Sequence, residues 1–181
     1  PSEAVKNGIG LIAEDRKSQG IFANQTLSMN VTVAGLGKLG KGLNTLFPDR
    51  EKLRTMQLIS SLKIKCLGPS QTIDRLSGGN QQKALLARWL EVGASVWLLD
   101  EPTRGVDAES KLAIHRLLRE LRDRGVALII VSSEMDELTS VCDRILVMSN
   151  KKHVDTFARG YWSKTLLLKA AFSEYKTKGL A

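Results

Sequence analysis

The chain has 181 residues, 43% of them hydrophobic and 25% charged, with a formal net charge of +8 and a sequence pI near 9.7. That length supports one domain with a real core or two small lobes, and the composition is ordinary for a globular protein. No run approaches the roughly 18 apolar residues of a membrane helix, no start resembles a signal peptide, and Cys66 and Cys142 show no metal or disulfide spacing, which makes a reducing compartment the default.

In chain order, the chain begins at Pro1 rather than Met, as a protein without its initiator methionine or a piece of something longer would. Residues 8–13, GIGLIA, read as a short buried strand, and EDRKSQG after it as a polar loop. Residues 27–35 are apolar and β-leaning. Gly35 and Gly40–Lys41 fit the first part of G-x-x-x-x-G-K-S/T, the loop that wraps nucleotide phosphates. The next residue is Gly42, which has no hydroxyl for Mg²⁺, so the run reads as a flexible basic connection. From Asp49 to about Ile64 the composition turns helical, with Asp49 after Pro48 as the expected N-cap. CLGPSQ is a loop.

LSGGNQQKALLARWLEVG then predicts a helix capped by the Ser77 hydroxyl and stopped at Gly93. SVWLLD is a short apolar strand ending in an acid. DAESKLAIHRLLRELRDRG predicts an amphipathic helix with Asp107 as cap, Leu112, Leu117, Leu118 and Leu121 as its stripe, and Gly125 as its stop. VALIIVSS reads as a second, fully buried strand, EMDELTSVCD as a short helix, and RILVMS as a third strand. This β-α-β-α-β texture with continuous apolar strands predicts an α/β fold whose parallel sheet is covered on both faces. The last 32 residues carry +5 of the +8 charge. Within them Trp162, Leu166, Ala170 and Phe172 fall roughly on one helical face, as in a closing helix; a membrane-surface or permease contact is the sharper alternative.

Two places carry chemistry. The strand VWLLD delivers Asp100 and Glu101 to its carboxyl end, where open α/β sheets place ligands. The first acid can hold Mg²⁺ through water, and the second can orient or deprotonate an attacking water. Upstream, Gly78 and Gly79 at a helix start let the backbone approach an anion, and the helix dipole favours a phosphate there.

LSGGNQQK, VWLLDEPTRGVD, ALIIVSSEMDEL and DRILVM, in that order, resemble the ATP-binding cassette ATPases of membrane transporters. More narrowly, with Glu14-Asp15-Arg16-Lys17 and Gln19-Gly20 upstream, they resemble the C-terminal cassette of the tandem ATPases of monosaccharide importers (ribose, galactose, xylose and autoinducer-2 types). The resemblance covers roughly residues 8–150. It implies a partial P-loop NTPase fold, a mostly parallel sheet flanked by helices plus a helical subdomain. Residues 1–150 would be a partial nucleotide-binding domain, with about 15–75 helical and about 76–150 the signature, Walker B and D-loop core; 151–181 would be a basic tail with a helix.

The resemblance also implies roles. Leu76, Ser77, Gly78, Gly79, Asn80 and Gln81 fall in the signature motif, which contacts the γ-phosphate of an ATP held by the opposite cassette. Asp100 is the Walker B acid and Glu101 the catalytic glutamate. Asp107 closes the D-loop. Ser133 occupies the switch position, where most cassettes have histidine, and Glu14 the Q-loop position, where most have glutamine. Serine cannot supply a cationic phosphate contact, and a carboxylate at 14 could ligate Mg²⁺ but repels bare phosphate. The family order places the true P-loop upstream of Glu14, so the resemblance implies a chain lacking Walker A: a truncated reading frame, a fragment, or one half that completes itself against another chain.

The implied cofactors are ATP and Mg²⁺. The implied partners are a second cassette, a transmembrane permease and, indirectly, a periplasmic sugar-binding protein, at the cytoplasmic face of a bacterial-type membrane. A non-catalytic cassette remnant that regulates a partner is the alternative. Nucleic acid is not expected, since the charge comes without an aromatic platform or basic recognition helix.

Overall fold

A helix α1 (Ser2–Lys6) leads through Gly8, at φ +74, into β1 (Ile9–Ile12). The structure, a computed structural model, describes residues 1–35 and 48–176. It divides into two units, residues 1–131 and 132–181. In the first, β1, β2 (Val96–Asp100) and β3 (Ala127–Val131) pair in parallel in that order. The register aligns Leu11 with Leu98 and Leu98 with Ile129, and Asp100 with Val131.

The segment read as a polar loop is one wide helical turn, Arg16–Gly20, closed by the Asp15 carboxylate, which accepts from the Lys17 and Ser18 amides. Hydrogen bonding with Ser18, above all, holds that carboxyl below its ordinary range. Residues 27–35, which lean toward β by propensity, form helix α2 (Leu27–Thr32) and a tight turn, Val33–Gly35. Thr26 caps α2 by accepting from the Met29 amide at 3.1 Å, and Leu27 and Val31 are fully buried one turn apart, so packing overrides the β-branched composition. The glycine–lysine run from 36 to 44 lies outside the described residues.

Helix α3 (Pro48–Ser61) starts at the proline itself. Asp49 therefore sits in the first turn with Glu51 and complements the helix dipole instead of capping. A short turn, Ile73–Arg75, precedes α4 (Gly78–Val92), which ends at Gly93 with φ +69. Leu27, Val31, Leu58, Ile73 and Leu76 join α4's Ala84 and Ala87 in one apolar cluster. Arg88 of α4 crosses this region as a buried cation: Nε donates to the Asn30 carbonyl at 2.7 Å and Nη1 to the Gly20 carbonyl at 2.9 Å. Burial lowers its pKa to about 10. Asn30 accepts from the Phe22 amide and donates to the Phe22 and Thr26 carbonyls, so residues 20–30 hang on this pair.

Trp89 seats α4 on the sheet. Its indole lies against Gly10, where a Cβ would come within 2.6 Å of the ring, and its Nε1 donates to the Leu11 carbonyl at 2.9 Å. Helix α5 (Ala108–Asp123) buries Ile114, Leu118 and Leu121. Of the expected stripe Leu118 and Leu121 hold, Leu117 is half-buried and Leu112 is exposed, because the inward line runs one residue round the helix. Burial alternates along β2 and β3, and Leu11, Ile129 and Val131 are each more than half exposed. Among the described residues β3 is therefore an edge strand of a sheet covered on one face, not a fully buried one.

In the second unit, α6 (Met135–Val141) is followed by β4 (Arg144–Ser149), which pairs antiparallel with β5 (Lys152–Ala158) in its own two-stranded sheet. The expectation of RILVMS as a third parallel strand is corrected by a hairpin whose two turn residues, Asn150 and Lys151, both have positive φ. Lysine at the second turn position gives little hairpin signal. Helix α7 (Lys164–Ala171), capped by Ser163, and α8 (Ser173–Lys176) follow. Leu167 is the buried residue of α7, with Trp162 and Ala170 beside it; Leu166 and Phe172 of the expected face stay exposed. Tail cations are spent inside this unit: Lys164 pairs with Asp136, Arg159 with Asp143 and Lys152 with Glu174. Burial also pushes the Cys142 thiol up to about 11.

Replacing Asn30 by alanine removes the bonds to Phe22 and Thr26 and one long contact to Arg88. The expected loss is about 2–3 kcal/mol. It should appear in urea denaturation as a lower midpoint at unchanged slope; an unchanged midpoint would mean the pair is not a support.

Candidate functional site

The site residues of the first unit are delivered by the carboxyl end of β2 and the start of α4. Asp100 ends β2 opposite Val131. Glu101 follows with φ +48, a left-handed conformation unusual for a side-chain-bearing residue, and its amide bonds the Val131 carbonyl at 2.8 Å. Such a position stores backbone strain and turns the chain sharply out of the sheet. Two turns follow, from the Arg104 amide to the Glu101 carbonyl and from the Val106 amide to the Thr103 carbonyl. Asp107 then caps α5, accepting from the Ser110 amide at 2.9 Å, and that bond holds its carboxyl below the ordinary range.

At the start of α4, Leu76 is buried and Ser77 has the extended backbone of an N-cap. The sequence predicts that its hydroxyl caps the helix backbone, and the structure corrects this: no such bond forms. The hydroxyl accepts instead from the Asn80 side-chain amide at 2.8 Å. Asn80 is itself held by accepting from the Lys65 amide at 2.8 Å, and Gln81 donates to the Ile73 carbonyl at 3.2 Å. This fixes the Ser77 rotamer with an acceptor lone pair used and the hydroxyl proton still to donate.

The two glycines have a use the sequence does not reveal. A Cβ at position 78 would lie 2.6 Å from Arg16 Nη2 and 2.9 Å from the Gly105 carbonyl, and one at 79 would collide with the Ser110 side chain. They let the helix start press against the loop after β2 and the start of α5. A cavity of about 250 Å³ opens beside this contact, lined by Ser77, Asn80, Lys83 and Lys65 with Asp107 and Glu109. Burial, and then the neighbouring Lys65, lowers the pKa of Lys83, whose Nζ donates to the Lys63 carbonyl at 3.1 Å.

Glu14 forms an ion pair with Arg104, and both side chains are about half exposed. Arg16, two residues on, reaches the Arg104 and Gly105 carbonyls and Gln81. No role attaches to it in the sequence reading; the EDRK run is its only signal. The structure thus brings Glu14, Ser77–Gln81 and Asp107 around one loop, and Asp100 and Glu101 begin that loop. Ser133 lies between β3 and α6, in the second unit.

Among the described residues no group of three or more histidine, cysteine or acidic side chains could hold a metal by itself. Asp100 with Glu101 fits Mg²⁺ as a partial set, since that ion keeps several waters and takes its other oxygens from substrate phosphates. The start of α4, with its dipole, backbone amides and fixed Ser77 hydroxyl, fits a phosphate.

Residues 2–104 match the family model described as ABC transporter. A ribose import ATP-binding protein of Rhizobium meliloti is 42% identical over 148 residues, 82% of this chain and 29% of that protein. A xylose import ATP-binding protein of Escherichia coli is 41% identical over 150 residues, 83% of this chain and 29% of that one. A ribose import ATP-binding protein of Clostridium tetani is 38% identical over 149 residues, 82% and 30% respectively. The chain spans about 30% of the length of these curated relatives. An ATP-binding cassette of an ABC transporter in its ADP conformation superposes with a TM-score of 0.74 at 19% identity, over 98% of this chain and 71% of that one. A dimeric post-hydrolysis cassette bound to ADP and phosphate gives 0.69 at 18% identity, over 85% and 64%.

Gly79→Ala tests the contact at the start of α4. Alanine for glycine inside a helix ordinarily stabilises by up to about 1 kcal/mol. Here the collision with Ser110 is expected to reverse the sign, with a loss of about 1–3 kcal/mol in chemical denaturation. Ser110→Gly in the same chain should recover part of it. A plain gain in stability would contradict the packing.

Proposed function

The chain belongs to the ABC transporter family, and from that membership we propose that it is part of the ATP-binding subunit of a sugar-type importer. The observation that carries the proposal is the Ser77–Asn80 lock at the start of α4, which presents a fixed hydroxyl and the first helix amides to an anion. The relatives named for ribose and xylose import support carbohydrate as the cargo class.

Bound as MgATP, the nucleotide would bring the metal that neutralises charge on the transferred phosphate. The rest is done by this chain's residues. Ser77 Oγ and the backbone amides of Gly78 and Gly79 would donate to the γ-phosphate of a nucleotide held by an opposite cassette. Leu76 anchors that turn in the core, and Asn80 and Gln81 keep its shape. Asp100 would hold the hydrated Mg²⁺. The Glu101 carboxylate would accept a proton from the attacking water. Asp107 and its loop would face the opposite cassette.

Two features favour a role as donor to a partner's site over hydrolysis at its own. Glu14 is engaged with Arg104, and Ser133 brings no positive charge to a phosphate. The row of exposed Leu11, half-buried Leu98 and exposed Ile129 would be a face for further cassette polypeptide to cover. Attachment to the cytoplasmic face of the membrane would run through a permease, with a sugar-binding protein acting on the far side; among the described residues no helix is long and apolar enough to cross a membrane.

Phosphate release tests the reading. The 181-residue chain alone is expected to give no Glu101-dependent turnover, since its one glycine–lysine run has Gly42 where Ser or Thr is needed. Added to a P-loop-bearing first cassette of a ribose-type import ATPase, it should raise turnover by about tenfold or more. Ser77→Arg should abolish that rise and Glu101→Gln leave most of it. Robust Glu101-dependent turnover by the chain alone would overturn the proposal.

A further inference from the structure

Arg16 touches two segments that lie far from it in sequence, one at Gln81 and one at Arg104–Gly105. Nη1 donates to the Arg104 carbonyl at 2.7 Å, Nη2 to the Gly105 carbonyl at 3.4 Å and Nε to Gln81 Oε1 at 3.4 Å. One bond is short and two are long, so the guanidinium is anchored at Arg104 and rests against the other two. Its donors form a rigid planar fork, so the acceptors cannot move apart without breaking a contact. Position 78 closes on the same group, since a Cβ there would meet Nη2 at 2.6 Å. Arg16 itself opens the wide helical turn, fixed by Asp15 on one side and by the Ile21 amide on the Arg16 carbonyl at 2.8 Å on the other. The Glu14–Arg104 ion pair adds a second tie between the Arg16 segment and the 104–107 loop.

We propose that Arg16 is a positioning residue that joins the Leu76–Gln81 turn and the 104–107 loop into one mechanical unit, so that a displacement of either is passed to the other. This deepens the reading of that turn as a phosphate-contacting element and rests on it for its functional meaning. An anion arriving at the start of α4 is then registered in the loop that ends at Asp107. A lysine at 16 would keep the charge and one point of attachment but lose the fork.

The test is a mutant cycle read by amide hydrogen exchange on the 181-residue chain without nucleotide. Asn80→Ala releases Ser77 on one side; the Val106 amide, bonded to the Thr103 carbonyl at 3.2 Å, reports on the other. With Arg16 present, Asn80→Ala is expected to speed Val106 exchange about threefold or more, with β2 amides unchanged as a reference for the global fold. With Arg16→Met that response should vanish, and with Arg16→Lys it should be intermediate. If Arg16→Met loses β2 protection, the cycle is read with Arg16→Lys, where a response equal to that of the unaltered chain counts against the proposal. A Val106 amide indifferent to Asn80→Ala while Arg16 is present, or equally responsive without it, overturns it. No nucleotide enters the measurement, so failure of the phosphate reading shows separately, in phosphate release.

Discussion

The start of α4 is pressed so close to the loop after β2 and to the start of α5 that positions 78 and 79 have no room for a side chain. That contact shapes the candidate site. It depends on α4 being seated at its far end as well, where Trp89 packs on Gly10 and bonds the Leu11 carbonyl. With β1 and β2 in parallel register, a helix fixed against β1 brings its first turn to the loop that leaves the carboxyl end of β2. The turn that would meet a phosphate and the loop that begins with two carboxylates are therefore held by one packing arrangement.

The sequence was informative where local signals are strong and was misleading where distant packing decides. Helix α4 with its Gly93 stop and α5 between Asp107 and Gly125 follow from caps and periodicity. So does β2, an apolar run ending in an acid. Residues 27–35 carry Val31, Thr32 and Val33, a β-leaning run, yet the Thr26 cap and the burial of Leu27 and Val31 make them helical. VALIIV has the continuous apolar composition of a strand covered on both faces, while the structure covers one. The composition fits a larger sheet packing than these residues provide, consistent with a chain spanning about 30% of its curated relatives.

The same division holds at the site. The order of the motifs pointed to Ser77, Asp100 and Glu101, because those residue types at those spacings are legible along the chain. What they touch was not. The Ser77 hydroxyl binds Asn80 instead of capping the helix, the glycines serve packing, and Arg16 contacts residues 65 to 89 positions away. Nor did net charge foretell how the tail behaves, since several of its cations are paired within the second unit. Hydrogen bonds across such separations leave no periodicity to read.

In the proposed function the α4 turn meets a nucleotide held by another cassette. Cysteine cross-linking tests it most directly, with Ser77→Cys in this chain, Cys66 and Cys142 replaced by alanine, and a single cysteine in the phosphate-binding loop of a first cassette from a ribose-type import ATPase. A disulfide is expected under mild oxidant only when MgATP is present. A bond that forms equally well without nucleotide, or none at any MgATP concentration, would contradict it.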